Sequence, residues 1–208
     1  MVRLQAATAL PPGWEQDPGR AEIELKAANA ALQVREFPRE GLLLPTRLGN
    51  LLRAAETTAG ERYGLNTVES YPRLRQVLSE RLDQGLAELL TQLDAAAAFS
   101  IAFFLSGALS LPIAPYGLWA AVPLGFFLLS WLSYRGARVV AGHHRRLLLA
   151  AFDLHRFDLL KQLHYQLPDD PKAELPFNEN LSSFWSGDAG SVGVEGMPSP
   201  YVHKFGND

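Results

Sequence analysis

Ala95–Tyr134 reads AAAAFSIAFFLSGALSLPIAPYGLWAAVPLGFFLLSWLSY, and none of these residues is charged. A straight helix of about 40 residues would be about 60 Å long, whereas the hydrocarbon core of a bilayer is about 30 Å thick. Pro112 and Gly117 interrupt the run near its middle, where they disfavour one continuous helix. The stretch therefore predicts a transmembrane helical hairpin with spans at 95–111 and 117–134.

The residues that flank this run predict its orientation. Arginines precede the first span and follow the second, whereas the turn at 112–116 has no lysine or arginine. The flanking arginines are Arg75, Arg81, Arg135, Arg138, Arg145 and Arg146. Because basic loops stay on the cytoplasmic side, a two-pass protein of the cytoplasmic (inner) membrane with both termini in the cytoplasm is predicted. Tyrosine and tryptophan near both ends of the second span are typical of the membrane interface.

Small residues recur at every fourth position of both spans. The predicted helix-packing residues are Ala98, Ala102, Ser106, Ser110, Gly117, Ala121 and Gly125. Such stripes let helix backbones approach closely in lipid, and serines there usually bond to their own or the neighbouring helix. A buried hairpin of a soluble bundle is the alternative, but a soluble helix normally shows a polar face.

The segments outside the hairpin also carry helical patterns, so an all-α fold is predicted. Residues 1–37 contain one helix, and residues 38–94 contain a helix capped by Thr46 and another that begins at Pro72. The second span continues as a return helix over 135–165. We expect this helix to form an antiparallel stalk with the helix that leads into the first span.

The remaining part of the chain, residues 166–208, is rich in proline, glycine and serine. This composition predicts an irregular tail that adds nothing to a core. At the other end, Met1 to Pro12 lack the apolar stretch of a signal peptide, so we expect the amino terminus to stay in the cytosol.

Composition excludes several classes of function. The net charge of −3 gives no general attraction to nucleic acid, and the absence of cysteine excludes disulfides and thiol chemistry. His155 and Asp158 could share a metal at i, i+3, but no second cluster completes a ligand shell. No catalytic motif is present, so neither an enzymatic activity nor a metal or other cofactor is predicted.

One group of side chains is a candidate binding site for an anionic ligand or an acidic partner. It consists of Arg47, Asn50, Arg53, Arg62 and Tyr63. Arginine binds carboxylate or phosphate through a two-pronged fork, so three arginines and an asparagine favour such a ligand. Alternatively, the arginines only pair with glutamates nearby, at 56, 61 and 69.

Charged residues of the return helix are expected to be structural. Asp153, Arg156 and Asp158 should pair with arginines of the first stalk helix or with lipid headgroups. Arg145 and Arg146 lie roughly 16 Å beyond the span along a straight helix. A contact with anionic lipid is therefore not the favoured role for these two arginines.

Four motifs occur in order along the chain: PTRLGN (Pro45–Asn50), ERYG (Glu61–Gly64), YPRL (Tyr71–Leu74) and AAFDLHRFDLL (Ala150–Leu160). Together they resemble a family of uncharacterised bacterial integral membrane proteins, over about residues 37–167. That family has tryptophan at the position of Tyr71 and further apolar spans upstream. The resemblance implies a membrane location and a helical fold, with this chain a shortened relative or part of a larger assembly, but it implies no activity.

The sequence therefore predicts a membrane-anchored interaction or scaffold protein. Its partners would be the lipid bilayer and either another protein or further copies of itself. The first alternative is a membrane-associated sensor or enzyme that binds an anionic ligand near Arg47 and Asn50. The second is a component of an oligomeric channel or transporter, against which the lack of an ionisable residue in the spans counts.

Overall fold

The computed structural model describes four stretches of the backbone, residues 19–34, 37–38, 41–115 and 117–187. The side chains of these residues are described except at 31–34. The chain forms two compact units, residues 1–56 and residues 57–208.

Every regular element within the described stretches is helical, which confirms the predicted all-α class for them. The longer helices are α1 (Arg20–Val34), α2 (Arg47–Thr58), α3 (Thr67–Leu74), α4 (Glu80–Ser110), α5 (Ala121–Gln162) and α6 (Pro171–Ser186). Short 3-10 turns lie at Glu61–Tyr63, Leu111–Ile113 and Gly117–Ala120.

The first unit contains α1 and most of α2. The helix predicted within residues 1–37 is confirmed as α1. Thr46 caps α2 as predicted, because its hydroxyl accepts a 3.0 Å hydrogen bond from the Gly49 amide. Leu51, Ala54 and Ala55 are buried on one face of the helix.

The predicted helix start at Pro72 is wrong. Pro72 lies inside α3, and α4 begins only at Glu80, after Ser79. The Asn66 side chain accepts hydrogen bonds from the amides of Val68 and Glu69, so α3 begins before the proline. Asn66 is the local signal for this earlier start. The apolar pattern that follows Pro72 had favoured a later one.

The predicted break between the two long helices is confirmed. The two 3-10 turns fill it, and Gly117 adopts a φ of +68°, a left-handed conformation that favours glycine. With their adjoining turns, the long helices cover Glu80–Ile113 and Gly117–Gln162. Both are long and apolar enough to cross a membrane.

The long helices α4 and α5 pack against each other in opposite directions. Ser100 and Ser130 mark the middle of this contact, where each hydroxyl donates to the backbone carbonyl of the other residue, at 3.1 and 2.7 Å. Towards the turns, the Phe104 ring lies 5.7 Å from the Phe127 ring. The expectation that serines here bond to the neighbouring helix is therefore confirmed for this pair.

The face that α4 uses for this contact differs from the predicted one. Every residue in the four-residue stripe on the first span is exposed or only half-buried, and Ala98 and Ala102 are exposed. On the second span Ala121 is exposed, and a Cβ added at Gly117 or Gly125 would meet nothing within 4 Å. Ser110 donates to the Gly107 carbonyl of its own helix. Ala98, Ala102 and Ala121 therefore lie outside the centre of the contact between the two helices.

The observed contact follows a spacing of seven. On α4 the residues are Leu86, Leu93, Ser100 and Gly107, and on α5 they are Pro123, Ser130, Ala137 and His144. With 3.6 residues per turn, a step of four rotates a residue by about 40° around the helix, whereas a step of seven rotates it by only about 20°. A four-residue stripe therefore leaves the interface after two turns, and a seven-residue stripe stays in it.

The predicted irregular tail is wrong for Pro171–Ser186, which form α6. The Asp170 carboxylate accepts a 2.7 Å hydrogen bond from the Ala173 amide, Pro171 occupies the first turn, and Gly187 ends the helix at a φ of +79°. Leu181 of α6 packs with Leu160 and Tyr165 in a buried apolar cluster. The rest of the predicted tail, from residue 188 onward, lies outside the described residues.

Candidate functional site

The loop between α2 and α3 is held in one shape by its own backbone and side chains. The Gly60 amide donates a 2.8 Å hydrogen bond to the Thr67 hydroxyl, and the Tyr63 amide donates to the Gly60 carbonyl at 2.9 Å. Gly64 adopts a φ of +78°, and a Cβ there would collide with the Leu175 carbonyl of α6. Glycine is therefore needed at 64 both for the turn and for the close approach of α6.

This loop directs Tyr63 towards α5. The Tyr63 hydroxyl donates a 2.6 Å hydrogen bond to Oδ1 of Asp153, and Arg62 places Nη1 3.4 Å from the same oxygen. Both side chains of the Arg62–Asp153 ion pair remain substantially exposed. Asp153 therefore joins the loop to α5 through one exposed carboxylate oxygen.

Arg156, one turn further along α5, ties together three elements. Its guanidinium lies 4.2 Å from the centre of the Tyr63 ring, and its Nε donates a 2.7 Å hydrogen bond to Glu174 of α6. The Arg156 and Glu174 side chains are only 18% and 8% exposed, so this ion pair is shielded from water. We refer to Tyr63, Asp153, Arg156 and Glu174 as the clamp.

Polar side chains of α6 also bind the backbone of the loop. The Asn178 Nδ2 donates a 2.7 Å hydrogen bond to the Tyr63 carbonyl, and the Ser182 hydroxyl donates to the Gly64 carbonyl at 3.2 Å. The Ser182 oxygen in turn accepts from the Asn66 amide at 2.9 Å. Asn178 and Ser182 are buried, so these bonds fix the loop backbone against the buried face of α6.

The environment of the clamp affects one titration directly. Partial burial, and after it the hydrogen bond to Asp153, raises the pKa of the Tyr63 hydroxyl above its ordinary value. Tyr63 therefore remains a hydrogen-bond donor across the physiological pH range.

The side chains of the clamp connect the loop, α5 and α6, so their role is structural. Each charged group in the clamp already has a partner of opposite charge. His155 and Asp158, the candidate metal pair, lie 3.1 Å apart on α5. Within the part of the chain that the structure describes, no group of three or more histidine, cysteine, aspartate or glutamate side chains could hold a metal ion.

The residues of the predicted anionic site divide between the two units. Arg62 and Tyr63 meet on Asp153, as described above. Arg47 and Arg53 lie on α2, where Arg53 pairs with Glu56 at 3.4 Å, as the alternative interpretation proposed.

Asn50 has a local role in the first unit. Its side chain is buried, accepts a 2.7 Å hydrogen bond from the Leu44 amide and donates a 3.0 Å bond to the Leu44 carbonyl. Asn50 thus fixes the segment that precedes α2. That all five predicted residues share one ligand stays a prediction.

Asp153 and Arg156 have partners other than the expected ones, and two residues of α6 were missed by the sequence analysis. Asp153 pairs with Arg62 of the loop, and Arg156 pairs with Glu174, whereas both were expected to pair with arginines of the first stalk helix or with lipid headgroups. Glu174 and Asn178 were not predicted as site residues, because their segment was expected to be irregular. Asp170 followed by Pro171 is the local signal that could have placed them on a helix.

Comparison of the chain with family models, with curated proteins and with solved structures finds no match.

Proposed function

We propose that this chain is a membrane-anchored interaction protein, held in the bilayer by α4 and α5. The observation that carries the proposal is the exposure of these helices. In the most apolar 18-residue stretch of each helix, only 6% and 11% is buried within the chain, whereas the core helix of a soluble protein is mostly buried. Leu109 and Leu118 are 82% and 95% exposed. Lipid would remove this apolar surface from water.

The expected orientation places both termini in the cytoplasm and the turn at 111–120 outside. It rests on the flanking arginines and on the lack of basic residues in the turn. Because the chain has no cysteine, single cysteines report on each side without interference. In intact cells, a membrane-impermeant maleimide should label Ala114→Cys and leave Glu179→Cys unlabelled until the cells are opened.

Fractionation tests the membrane location itself. The chain should remain in the membrane pellet after an alkaline wash and should leave it only with detergent. Recovery in the supernatant, or a monodisperse protein without detergent, would contradict the proposal. Labelling of Glu179→Cys in intact cells would leave the location standing and reverse the orientation.

The interaction part of the proposal concerns two exposed leucines on the helices that the clamp joins. Leu154 and Leu175 follow clamp residues directly in sequence and are both exposed, the first at 66%. Leu154 lies about 30 Å along α5 beyond Tyr134, too far for the same bilayer to cover it. The clamp holds α6 and the loop against α5, so each leucine is carried on a helix with a fixed position. A protein partner or a second copy would bury one or both leucines.

Affinity purification in mild detergent tests these two leucines, with two differently tagged copies expressed together to detect self-association. Leu154→Ser and Leu175→Ser should lower the recovery of the associated chain, while the exposed Lys172→Ser should not. A thermal melt of each variant separates lost association from lost folding. Equal recovery with all three variants, or a chain that stays monomeric and alone, would contradict the proposal.

A further inference from the structure

The face of α4 that points away from α5 is exposed. A position two after a contact residue of α4 lies about 200° around the helix from that contact. The residues at these positions are Glu88, Ala95, Ala102 and Leu109. All four are exposed, and Leu109 is exposed at 82%. We refer to these residues as the outward face of α4.

The corresponding positions of α5 form its outward face. They are Gly125, Leu132, Val139 and Arg146. Leu132, Val139 and Arg146 are exposed, and a Cβ added at Gly125 would meet nothing within 4 Å. Each long helix therefore uses one face for the contact within the chain and leaves the opposite face open to a further partner.

Beyond the apolar segments, the two outward faces carry opposite charges. Glu88 lies on the face of α4, and Arg146 lies on that of α5. Seven positions further from the apolar segments follow Arg81 on α4 and Asp153 on α5, so the signs alternate along both faces. Glu88, Arg146 and Arg81 make no ion pair with any residue that the structure describes. Both side-chain contacts of Asp153 in the clamp use Oδ1.

The contact between Ser100 and Ser130 gives the relative heights of residues on the two helices. Glu88 lies about 18 Å before Ser100 along α4, and Arg146 lies about 24 Å after Ser130 along α5, on the same side of the serine contact. Helical side chains lean towards the N-terminal end of their helix, and because α4 and α5 are antiparallel, this lean shortens the difference in height. In a neighbouring copy at the same height in the bilayer, Arg146 therefore lies level with Glu88.

These charges distinguish the ways in which two copies could meet. Copies in one bilayer share height and orientation, so a face that packs on its own equivalent brings like charges together. Two α4 faces would place Glu88 beside Glu88, and two α5 faces would place Arg146 beside Arg146. When α4 of one copy meets α5 of the next, Glu88 instead faces Arg146, and Arg81 faces Asp153. Only this head-to-tail contact is complementary in charge.

The apolar parts of the two outward faces are complementary in size. On the same scale of heights, Leu132 of α5 lies between Ala95 and Ala102 of α4, where α4 presents only methyl groups. Gly125 of α5 lies between Ala102 and Leu109, so the larger leucine meets open space. Small side chains opposite large ones allow helices to approach closely in lipid.

We propose that copies of this chain associate head to tail in the bilayer, with the outward face of α4 packed on the outward face of α5 of the next copy. The two outward faces of one chain point in opposite directions, so a pair of copies leaves one face of each kind open and the assembly grows to three or more copies. The apolar packing supplies most of the affinity, and the exposed charges select the orientation. The inference rests on the proposed membrane location and adds a second copy as the partner.

Disulfide cross-linking in membranes tests the contact, because the chain has no cysteine of its own. Ala102→Cys and Leu128→Cys lie at equal height on the outward sides of α4 and α5. Within one chain these positions are on opposite sides of two helices whose axes lie about 8–10 Å apart, beyond the reach of a disulfide. With a mild oxidant, the double variant should give a ladder of dimers, trimers and larger species. Either single variant should remain monomeric.

Charge reversal then tests the selection of orientation. Adding Glu88→Arg to the double-cysteine chain should lower the cross-linked fraction about two- to fivefold, the effect of an exposed ion pair. Adding Arg146→Glu as well should restore it. Asp169→Arg makes the same change of charge at an exposed position outside α4 and α5 and should have no effect.

Several results would overturn the head-to-tail contact. Dimers of a single-cysteine variant, in the amount that the double variant gives, would show a symmetric contact. A ladder that disappears when the membranes are diluted with excess lipid would show random collision. Loss without rescue by the reversed pair would remove the role of the charges. Release of the chain by the alkaline wash would overturn the proposed function as well, whereas retention without cross-linking overturns this inference alone.

Discussion

The Tyr63 hydroxyl donates a 2.6 Å hydrogen bond to Asp153 across 90 positions of the sequence. Arg156 covers the Tyr63 ring and continues the chain of contacts to Glu174 on α6. Three elements that are distant in sequence therefore depend on one another through four side chains. This arrangement makes the contribution of each side chain separately measurable.

Tyr63→Phe removes the hydroxyl but keeps the ring beneath Arg156. A hydrogen bond to a charged group contributes about 1.5 kcal/mol or more, and the exposure of Asp153 places this one at the low end. We expect the thermal midpoint in detergent to fall by about 3–6 °C, as measured by circular dichroism. Tyr71→Phe is the matched control, since the Tyr71 hydroxyl makes no hydrogen bond with any residue that the structure describes. An equal loss in both variants would contradict this account.

Glu174→Ala leaves the Arg156 guanidinium half-enclosed without its anion. Removing one member of a buried ion pair costs about 3 kcal/mol, so α6 should detach at a lower temperature and be cleaved faster by protease. Lys172→Ala, at an exposed position of the same helix, should have little effect. The double variant Arg156→Met with Glu174→Met should be more stable than Glu174→Ala, because it leaves no unpaired charge. If the double variant is less stable than Glu174→Ala, then the attraction within the ion pair exceeds the free energy that burying its two charges costs.

Alkaline pH should weaken the clamp through Tyr63. Its pKa is raised in the folded chain, chiefly by partial burial, so its stabilising effect is fully present below the unfolded value of about 10. The effect is lost as the pH rises through the folded pKa. The stability difference between the wild type and Tyr63→Phe should therefore be constant to about pH 10 and shrink above it. A difference that persists unchanged at higher pH, while tyrosinate absorbance rises, would show that Tyr63 is not the group responsible.

Gly107 identifies the face by which α4 packs on α5. A Cβ at this position would lie 3.0 Å from the Phe127 ring, whereas one at Gly125 would meet nothing within 4 Å. Gly107→Leu should therefore cost about 1–3 kcal/mol through overpacking, and Gly125→Leu and Ala102→Leu should cost much less. Thermal melts in detergent measure the order. If Ala102→Leu is as damaging as Gly107→Leu, the four-residue stripe makes a contact that the pair of helices alone does not contain.

The local features of the fold were predictable from the sequence. The uncharged run, its proline and glycine break and the Thr46 cap each depend on residues that are neighbours along the chain. The backbone responds to such neighbours directly, through missing amide donors, capping hydrogen bonds and side-chain polarity. Two long apolar helices and the α2 start were therefore correct before any contact was known.

Where two local signals competed, only the structure decided between them. Pro72 was an acceptable helix start, but the Asn66 cap had already begun α3. The composition after residue 166 favoured an irregular tail, but Asp170 and Pro171 began a helix whose Leu181 is buried. In both cases a cap of one or two residues outweighed the pattern of a longer segment, because a helix needs few residues to begin and buried contacts to persist.

The sequence by itself determined that this chain is helical and that two of its helices are apolar enough to cross a membrane. Only the tertiary structure decided which faces meet and which charges pair. The choice between stripes of four and seven depends on how two helices rotate against each other, and both patterns are present on α4. Asp153 and Glu174 could each have paired with several arginines, and the fold alone placed Arg62 beside the first and Arg156 beside the second. The physical reason is that side-chain polarity and caps act over one or two helical turns, whereas packing and ion pairing depend on distances that the folded chain alone establishes.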